Sequence, residues 1–141
     1  MQRLSSEELL VQYQASIREF SDTDLSGLYL FEANLSESKF VQCDLTSAHL
    51  PYANLSKSNL HKAKLQYAEL SDAQLYQADL SQADLRGINL SRASLRYANL
   101  SGADLTGANL QGADLSYANF NSANLSNANF SRANLERASL S

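Results

Sequence analysis

Two sets of residues recur at intervals of twenty along the chain, and their side chains are the ones best suited to chemistry. The first set is acidic, with one lysine inside it and an asparagine at its end: Asp24, Asp44, Lys64, Asp84, Asp104 and Asn124. The second set combines tyrosine with arginine: Tyr76, Arg96, Tyr97, Tyr117 and Arg137. A line of carboxylates could imitate the phosphates of DNA, whereas tyrosine and arginine are the residues that most often anchor protein interfaces.

The element that positions both sets is a five-residue repeat. Leu or Phe occupies every fifth position from Leu25 to Leu140, which makes 24 repeats, and the residue two positions earlier is Ala in 18 of them. In an α-helix a five-residue step turns by about 500°, so the leucines would drift around the axis. In a flat strand an odd period would place alternate leucines on opposite faces. The period therefore predicts short extended segments with Ala and Leu inside, joined by corners that wind the chain into a solenoid.

The glycines mark the corners of this solenoid. All five glycines lie two residues after a Leu of the repeat, Asn127 has the same phase, and the single proline, Pro51, lies one position earlier. A type II turn requires positive φ at its third residue, which favours Gly and then Asn, and it accepts Pro at its second. We therefore expect each repeated Leu or Phe to be the first residue of such a turn.

The motif Ala-Asp/Asn-Leu-x-x, clearest in Ala103–Leu115, resembles the A(D/N)LXX motif of the pentapeptide-repeat family, and the resemblance extends from Thr23 to Leu140. It implies an all-β solenoid, a right-handed quadrilateral β-helix with four repeats per coil and about six coils. Residues twenty apart would then be neighbours on adjacent coils. The layout of a helix followed by repeats resembles the small cytosolic members of the family that are common in cyanobacteria.

The residues before the repeat predict a short helix. Ser5 and Glu8 have the spacing of a capping box, so a helix is expected over about Ser6–Arg18. The sequence thus divides into residues 1–20, an N-terminal α-helical cap, and residues 21–141, the β-helix. The apolar side of the helix is expected to cover the open end of the first coil, because terminal repeats of a solenoid need a cap. A helix that binds a partner is the alternative.

Charge and composition restrict the kinds of partner and the cellular compartment that the sequence predicts. The net charge is −4, and residues 1–85 carry 12 acids and 6 bases whereas residues 86–141 carry 3 acids and 5 bases. This balance favours neither general nucleic-acid binding nor a uniformly acidic surface. One cysteine, Cys43, excludes a disulfide framework, and the sequence has no apolar run or leader typical of a membrane span or signal peptide. The cytoplasm is the expected compartment.

The residues give no indication of an enzyme. His49 and His61 have different positions in the twenty-residue register, with no third ligand beside them, so no metal site is expected. Every Ser, Asp and His in an outward position would lie on a convex rod, whereas catalysis needs a cleft. No glycine pattern follows a strand and opens a helix, so a phosphate loop is excluded. We therefore predict no catalytic, cofactor-binding or metal-binding residues.

The main functional hypothesis is a non-enzymatic interaction or scaffold protein. Its candidate binding surface is the second set of residues, Tyr76, Arg96, Tyr97, Tyr117 and Arg137, here called the Tyr/Arg ridge, and its protein partner is not identified by the sequence. The alternative is that these tyrosines only fill turn positions by stacking on one another. The sequence ends in a repeat, so an end-to-end homodimer through the C-terminal coil, or a missing continuation, is expected.

The second hypothesis is a DNA-mimicking inhibitor of a type II topoisomerase, DNA gyrase, as the resemblance implies for some members of the family. Its candidate residues are Asp24, Asp44, Asp84 and Asp104, here called the acidic column. Lys64 interrupts this line. The structural alternative is that short Asp side chains next to turns hydrogen-bond to nearby backbone groups.

Overall fold

The computed structural model describes all of residues 1–141. Its regular elements are β1 (Gln2–Arg3), α1 (Ser6–Gln14) and β2 (Thr23–Asp24), and β1 pairs in parallel with β2. From Glu19 onward, single-residue parallel bridges join positions twenty apart, beginning with Glu19↔Lys39. One bridge falls in each five-residue repeat, so every coil of the solenoid has four sides.

The repeated leucines form the core. Leu95 and Leu115 are completely buried, and the inward Ala and Leu positions join in one cluster of 39 residues. Phe20 belongs to the same cluster and stacks on Phe40, with ring centroids 5.6 Å apart. The prediction that the repeated leucines point inward is therefore confirmed, and core packing begins one repeat before Leu25.

The corners have the predicted backbone. At a typical corner the carbonyl of Leu45 accepts a hydrogen bond from the amide of Ala48 at 3.0 Å, and Ser47 between them has φ 56°. The Ser47 amide in turn donates to Gln66 O on the next coil at 2.9 Å. All five glycines have φ between 65° and 69°, which confirms the turn prediction, and most other corners hold a non-glycine residue in the same conformation.

The N-terminal helix is shorter than the predicted Ser6–Arg18. Its start is as expected, since Ser5 Oγ accepts from the Glu8 amide and the Glu8 carboxylate accepts from the Ser5 amide. It ends at Gln14 because Ser16 takes φ 71° and donates to Tyr13 O, while Ile17 donates to Gln12 O. These two bonds form a Schellman motif, which closes a helix without glycine here.

Two residues of α1 tie the helix to the solenoid. Leu9 is completely buried and belongs to the same core cluster as the repeated leucines. The Tyr13 hydroxyl donates to Ser36 O at 3.0 Å, so the far end of the helix is also held against the coils.

Candidate functional site

The Tyr/Arg ridge lies on one corner of the solenoid. Tyr97 and Tyr117 are third residues of turns on successive coils, with φ 58° and 62°. Tyr76 and Arg96 are second residues of turns on the same corner, one coil apart. The inter-coil bridges Gln74↔Ser94 and Ser94↔Asp114 fix this register, so four side chains from three successive coils meet at one corner.

The ridge side chains contact one another. The Tyr97 and Tyr117 rings stack with centroids 4.7 Å apart and planes 12° from parallel, and Tyr76 meets Tyr97 edge-on at 6.0 Å. The Arg96 guanidinium lies 5.7 Å from both the Tyr97 and Tyr117 centroids, and that of Arg137 lies 6.0 Å from Tyr117. The three tyrosines remain 37–45% exposed. All five predicted ridge residues thus form one continuous, partly exposed surface.

Two further residues hold Arg96 in place. Arg96 Nη1 donates to Ser116 Oγ at 2.9 Å and lies 3.9 Å from Asp114 Oδ2. Ser116 in turn donates its hydroxyl to Asp114 Oδ1 at 2.7 Å. Sequence reasoning did not include Asp114 in the ridge, although its position twenty residues after Ser94 would have placed it beside the ridge.

The acidic column is aligned as the register predicts, through the bridges Asp24↔Asp44, Asp44↔Lys64, Lys64↔Asp84 and Asp84↔Asp104. Each of its four carboxylates accepts a hydrogen bond from the backbone amide two residues later. The four donors are the amides of Ser26, Thr46, Arg86 and Thr106. These carboxylates therefore have a structural role beside the turns.

Arginine side chains form ion pairs with three of the four carboxylates in the acidic column. Arg3 Nη1 lies 3.2 Å from Asp24 Oδ1, and Arg86 lies 2.7 Å from Asp84 Oδ2 and 4.0 Å from Asp104 Oδ2. Hydrogen bonds from the Arg86 side chain lower the pKa of Asp84, and hydrogen bonds from Ser26 lower that of Asp24. Sequence reasoning missed both arginines, since Arg3 reaches the column only through the β1–β2 pairing.

A second group of exposed aromatic rings lies on the first two coils. Tyr29 stacks on His49 with centroids 4.4 Å apart, and Phe31 meets Tyr52 edge-on at 5.8 Å. Tyr29 and Phe31 are 74% and 64% exposed. Their partners lie twenty or twenty-one residues later, so the register brings these pairs together as it does the ridge.

His61 takes part in a short hydrogen-bonded relay. Its Nδ1 lies 2.8 Å from Ser81 Oγ, and the Ser81 hydroxyl donates to Asp79 Oδ1 at 2.6 Å. The serine proton therefore points to the aspartate, whereas a histidine that activates a serine must accept that proton. The arrangement fixes the ring of His61 and leaves Ser81 without a base.

The rest of the surface shows no concave site. It has no pocket and no group of three or more His, Cys, Asp or Glu side chains that could hold a metal ion. None of the helical structure is long and apolar enough to cross a membrane. The described side chains can therefore make contacts on the outside of the rod, through its corners and flat sides.

These features define a class of protein: a four-sided β-solenoid that displays side chains along its outside. The chain belongs to the pentapeptide-repeat family, because the family model for pentapeptide repeats matches residues 19–46, 38–73, 73–112 and 103–141. The family prediction is thus confirmed, and membership defines the fold as a right-handed quadrilateral β-helix. No curated protein matches the chain in sequence.

Two solved structures of pentapeptide repeat proteins are similar to this chain. The pentapeptide repeat protein alr5209 from Nostoc PCC 7120 is 33% identical, with 80% of this chain and 82% of that chain covered and a TM-score of 0.51. HetL, a pentapeptide repeat protein involved in heterocyst differentiation regulation in the cyanobacterium Nostoc sp. strain PCC 7120, is 29% identical over 97% and 93%, with a TM-score of 0.44.

A third similarity concerns the fold alone. Full-length QnrB1, a plasmid-mediated fluoroquinolone resistance protein, is 21% identical, with 86% of this chain and 74% of that chain covered and a TM-score of 0.62.

Proposed function

We propose that this protein is a non-enzymatic interaction protein, a stiff rod whose Tyr/Arg ridge binds a protein partner. The observation that carries the proposal is the contact of Arg96 with both Tyr97 and Tyr117 on an exposed corner. Tyrosine and arginine supply a large share of the binding energy in protein interfaces. Six coils, with α1 covering the first, complete the proposed architecture, and the burial of Leu9 in the common core supports this role of α1.

The ridge is organised before any partner arrives. Ser116 and Asp114 hold the Arg96 guanidinium, and the stack of Tyr97 on Tyr117 restricts both rings. A side chain that is already ordered loses less conformational entropy on binding, which for a flexible side chain amounts to about 0.5–1.5 kcal/mol. The ridge therefore favours specific binding over a loose, adaptable contact.

Affinity capture from the native lysate tests this proposal. The double substitution Tyr97→Ser/Tyr117→Ser should abolish capture of the partner, because it removes both rings that face Arg96. The stability loss should remain near 1–3 kcal/mol, since an exposed aromatic pair contributes about 0.5–1.5 kcal/mol and a cation–π contact a similar amount.

The matched control is Tyr67→Ser, which removes an exposed tyrosine from the corner that holds Gly87 and Gly107. Capture should survive this change. If the Tyr97/Tyr117 variant retains its partners at wild-type levels, the ridge is not the binding surface.

A DNA-mimicking inhibitor of DNA gyrase is the second proposal, favoured by the alignment of Asp24, Asp44, Asp84 and Asp104 on one line. It ranks second because Arg3 and Arg86 form ion pairs with three of the four carboxylates. A supercoiling assay decides between the two. Inhibition that disappears in Asp84→Asn/Asp104→Asn would favour the mimic, whereas no inhibition by the wild-type protein would exclude it.

A further inference from the structure

One flat side of the rod, here called the ridge side, concentrates exposed aromatic residues. Its central column is bridged in register and consists of Asn34, Asn54, Gln74, Ser94, Asp114 and Asn134. The corner that carries the ridge borders it on one edge, and the corner with Phe31 and Tyr52 borders it on the other. Five of the large exposed hydrophobic side chains lie on these two corners: Phe31, Tyr52, Tyr76, Tyr97 and Tyr117.

Charge is distributed along the two corners with opposite signs at the two ends. The third turn residues of one corner are Glu32, Tyr52, Asp72, Arg92, Gly112 and Arg132. Those of the other corner are Glu37, Lys57, Gln77, Tyr97, Tyr117 and Arg137. Both corners thus begin with a glutamate at the N-terminal end and finish with an arginine at the C-terminal end.

We propose that the ridge side binds a second copy of this chain, antiparallel and side by side. This inference rests on the proposed function and deepens it, because it names a partner for the surface that includes the Tyr/Arg ridge. A two-fold axis in the contact plane, perpendicular to the rod, reverses the order of the coils and leaves each corner opposite the same corner of the other copy. The first coil then faces the sixth, the second faces the fifth, and the third faces the fourth.

This single operation makes the two corners self-complementary. It places Glu32 opposite Arg132 and Glu37 opposite Arg137, each pair occurring twice by symmetry. It also places Lys57 opposite Tyr117, a cation over an aromatic ring. The same operation on the side of the acidic column would place Asp44 opposite Asp104, two carboxylates that repel.

The same symmetry completes the pairing near the axis. Tyr76 falls opposite Arg96 of the other copy. Asp72 and Arg92 form an ion pair 3.0 Å long within one chain, and the symmetry places Asp72 of each copy opposite Arg92 of the other. On the ridge side and its two corners no two like charges come directly opposite each other.

The charges that the arrangement uses at its ends are free to pair. Glu32, Glu37, Arg132 and Arg137 belong to none of the ion pairs within the chain. Five coil spacings of about 4.8 Å separate Glu32 from Arg132, so the contact is about 24 Å long. This is a small interface, and we expect a reversible dimer with a dissociation constant on the order of micromolar that weakens at high salt.

Charge-swapped variants test the pairing by sedimentation velocity over a concentration series of the full chain. Glu32→Arg/Glu37→Arg makes all four end positions basic, and Arg132→Glu/Arg137→Glu makes all four acidic. Each variant alone should be monomeric, with dimerisation weakened at least about tenfold, because like charges now face each other. An equimolar mixture of the two variants should form a heterodimer, since every opposed pair is again complementary. Recovery in the mixture also shows that both variants are folded.

A wild-type protein that stays monomeric throughout the series would overturn the proposal. So would a dimer that survives Glu32→Arg/Glu37→Arg, which is the outcome expected for the end-to-end contact through residues 121–141, because that contact includes neither glutamate. The outcome is separable from that of the capture experiment through Glu32→Arg/Glu37→Arg, because this variant leaves all five ridge residues unchanged. If the Tyr97/Tyr117 variant loses a different protein partner while charge swaps leave sedimentation unchanged, the proposed function stands and self-pairing fails.

Discussion

Two glycines on one corner allow the energetic cost of the left-handed backbone to be measured separately from the cost of displacing a side chain. Gly87 and Gly107 occupy the same corner on successive coils, with φ 65° and 69°. A methyl group added at Gly107 meets nothing within 4 Å, whereas one added at Gly87 lies 2.6 Å from the Tyr67 ring. Alanine at either position must adopt the left-handed conformation, and only at Gly87 must it also displace a ring.

The expected magnitudes follow from these contacts. For Gly107→Ala the left-handed conformation costs about 1–2 kcal/mol, of which the stiffer unfolded chain offsets about 0.4–1 kcal/mol, so the net loss is about 1 kcal/mol. Tyr67 is 68% exposed, so about a third of its roughly 200 Å² is covered, which is equivalent to at most about 1.5 kcal/mol. Gly87→Ala should therefore lower the free energy of unfolding by about 2 kcal/mol.

A double-mutant cycle measured by urea denaturation tests the assignment. In a Tyr67→Ser background, Gly87→Ala should cost no more than Gly107→Ala does in the wild type, because the ring is gone. Equal losses for the two alanine variants in the wild-type background would show that the Tyr67 ring does not rest on Gly87. If Gly87→Ala still costs more than Gly107→Ala in the absence of the Tyr67 ring, the additional strain lies in the backbone at Gly87 instead.

Three further outcomes are expected. Leu95→Ala should lower the free energy of unfolding by about 3 kcal/mol, because the Leu95 side chain is completely buried. Leu125 is only partly buried, so Leu125→Ala should lower it by roughly half of that in the same denaturation assay. Ser38→Ala should raise stability by about 1 kcal/mol, since the Ser38 hydroxyl is buried without a hydrogen-bond partner. Hydrogen bonds from Arg86 lower the pKa of Asp84. The ionised carboxylate therefore stabilises the fold at a pH above its ordinary pKa, and this contribution is lost as the pH falls through the pKa of the folded state. Asp84→Asn should thus make thermal stability less sensitive to acidification below about pH 4.

The inward half of this molecule could be read from the sequence because every repeat imposes the same local requirement. A Leu at each fifth position and an Ala two residues earlier fix which side chains are buried, and the glycine phase fixes where φ is positive. The capping box of Ser5 and Glu8 is equally local. The helix end at Gln14 was missed, since Ser16 adopts the left-handed conformation although the sequence offers no glycine there.

The outward half depends on contacts between coils, which the five-residue pattern does not specify. The twenty-residue register placed the ridge tyrosines side by side, but it does not predict rotamers. Arg86 forms ion pairs with Asp84 on its own coil and with Asp104 on the next, and His49 stacks on Tyr29. No local sequence pattern distinguishes these pairs from other outward pairs. Arg3 reaches Asp24 through a strand pair outside the repeat altogether.

The use of glycine at the corners connects the fold with the proposed interaction surface. Glycine would remove the left-handed penalty at every third turn position, yet the corner of the ridge contains none: its third residues are Glu37, Lys57, Gln77, Tyr97, Tyr117 and Arg137. The glycines lie on the other three corners. A side chain at such a position carries about 1–2 kcal/mol of backbone strain, and non-glycine residues on the other corners carry the same strain. The hydrogen bonds between coils tolerate this strain at every corner, so the choice of residue there reflects the surface that the rod presents.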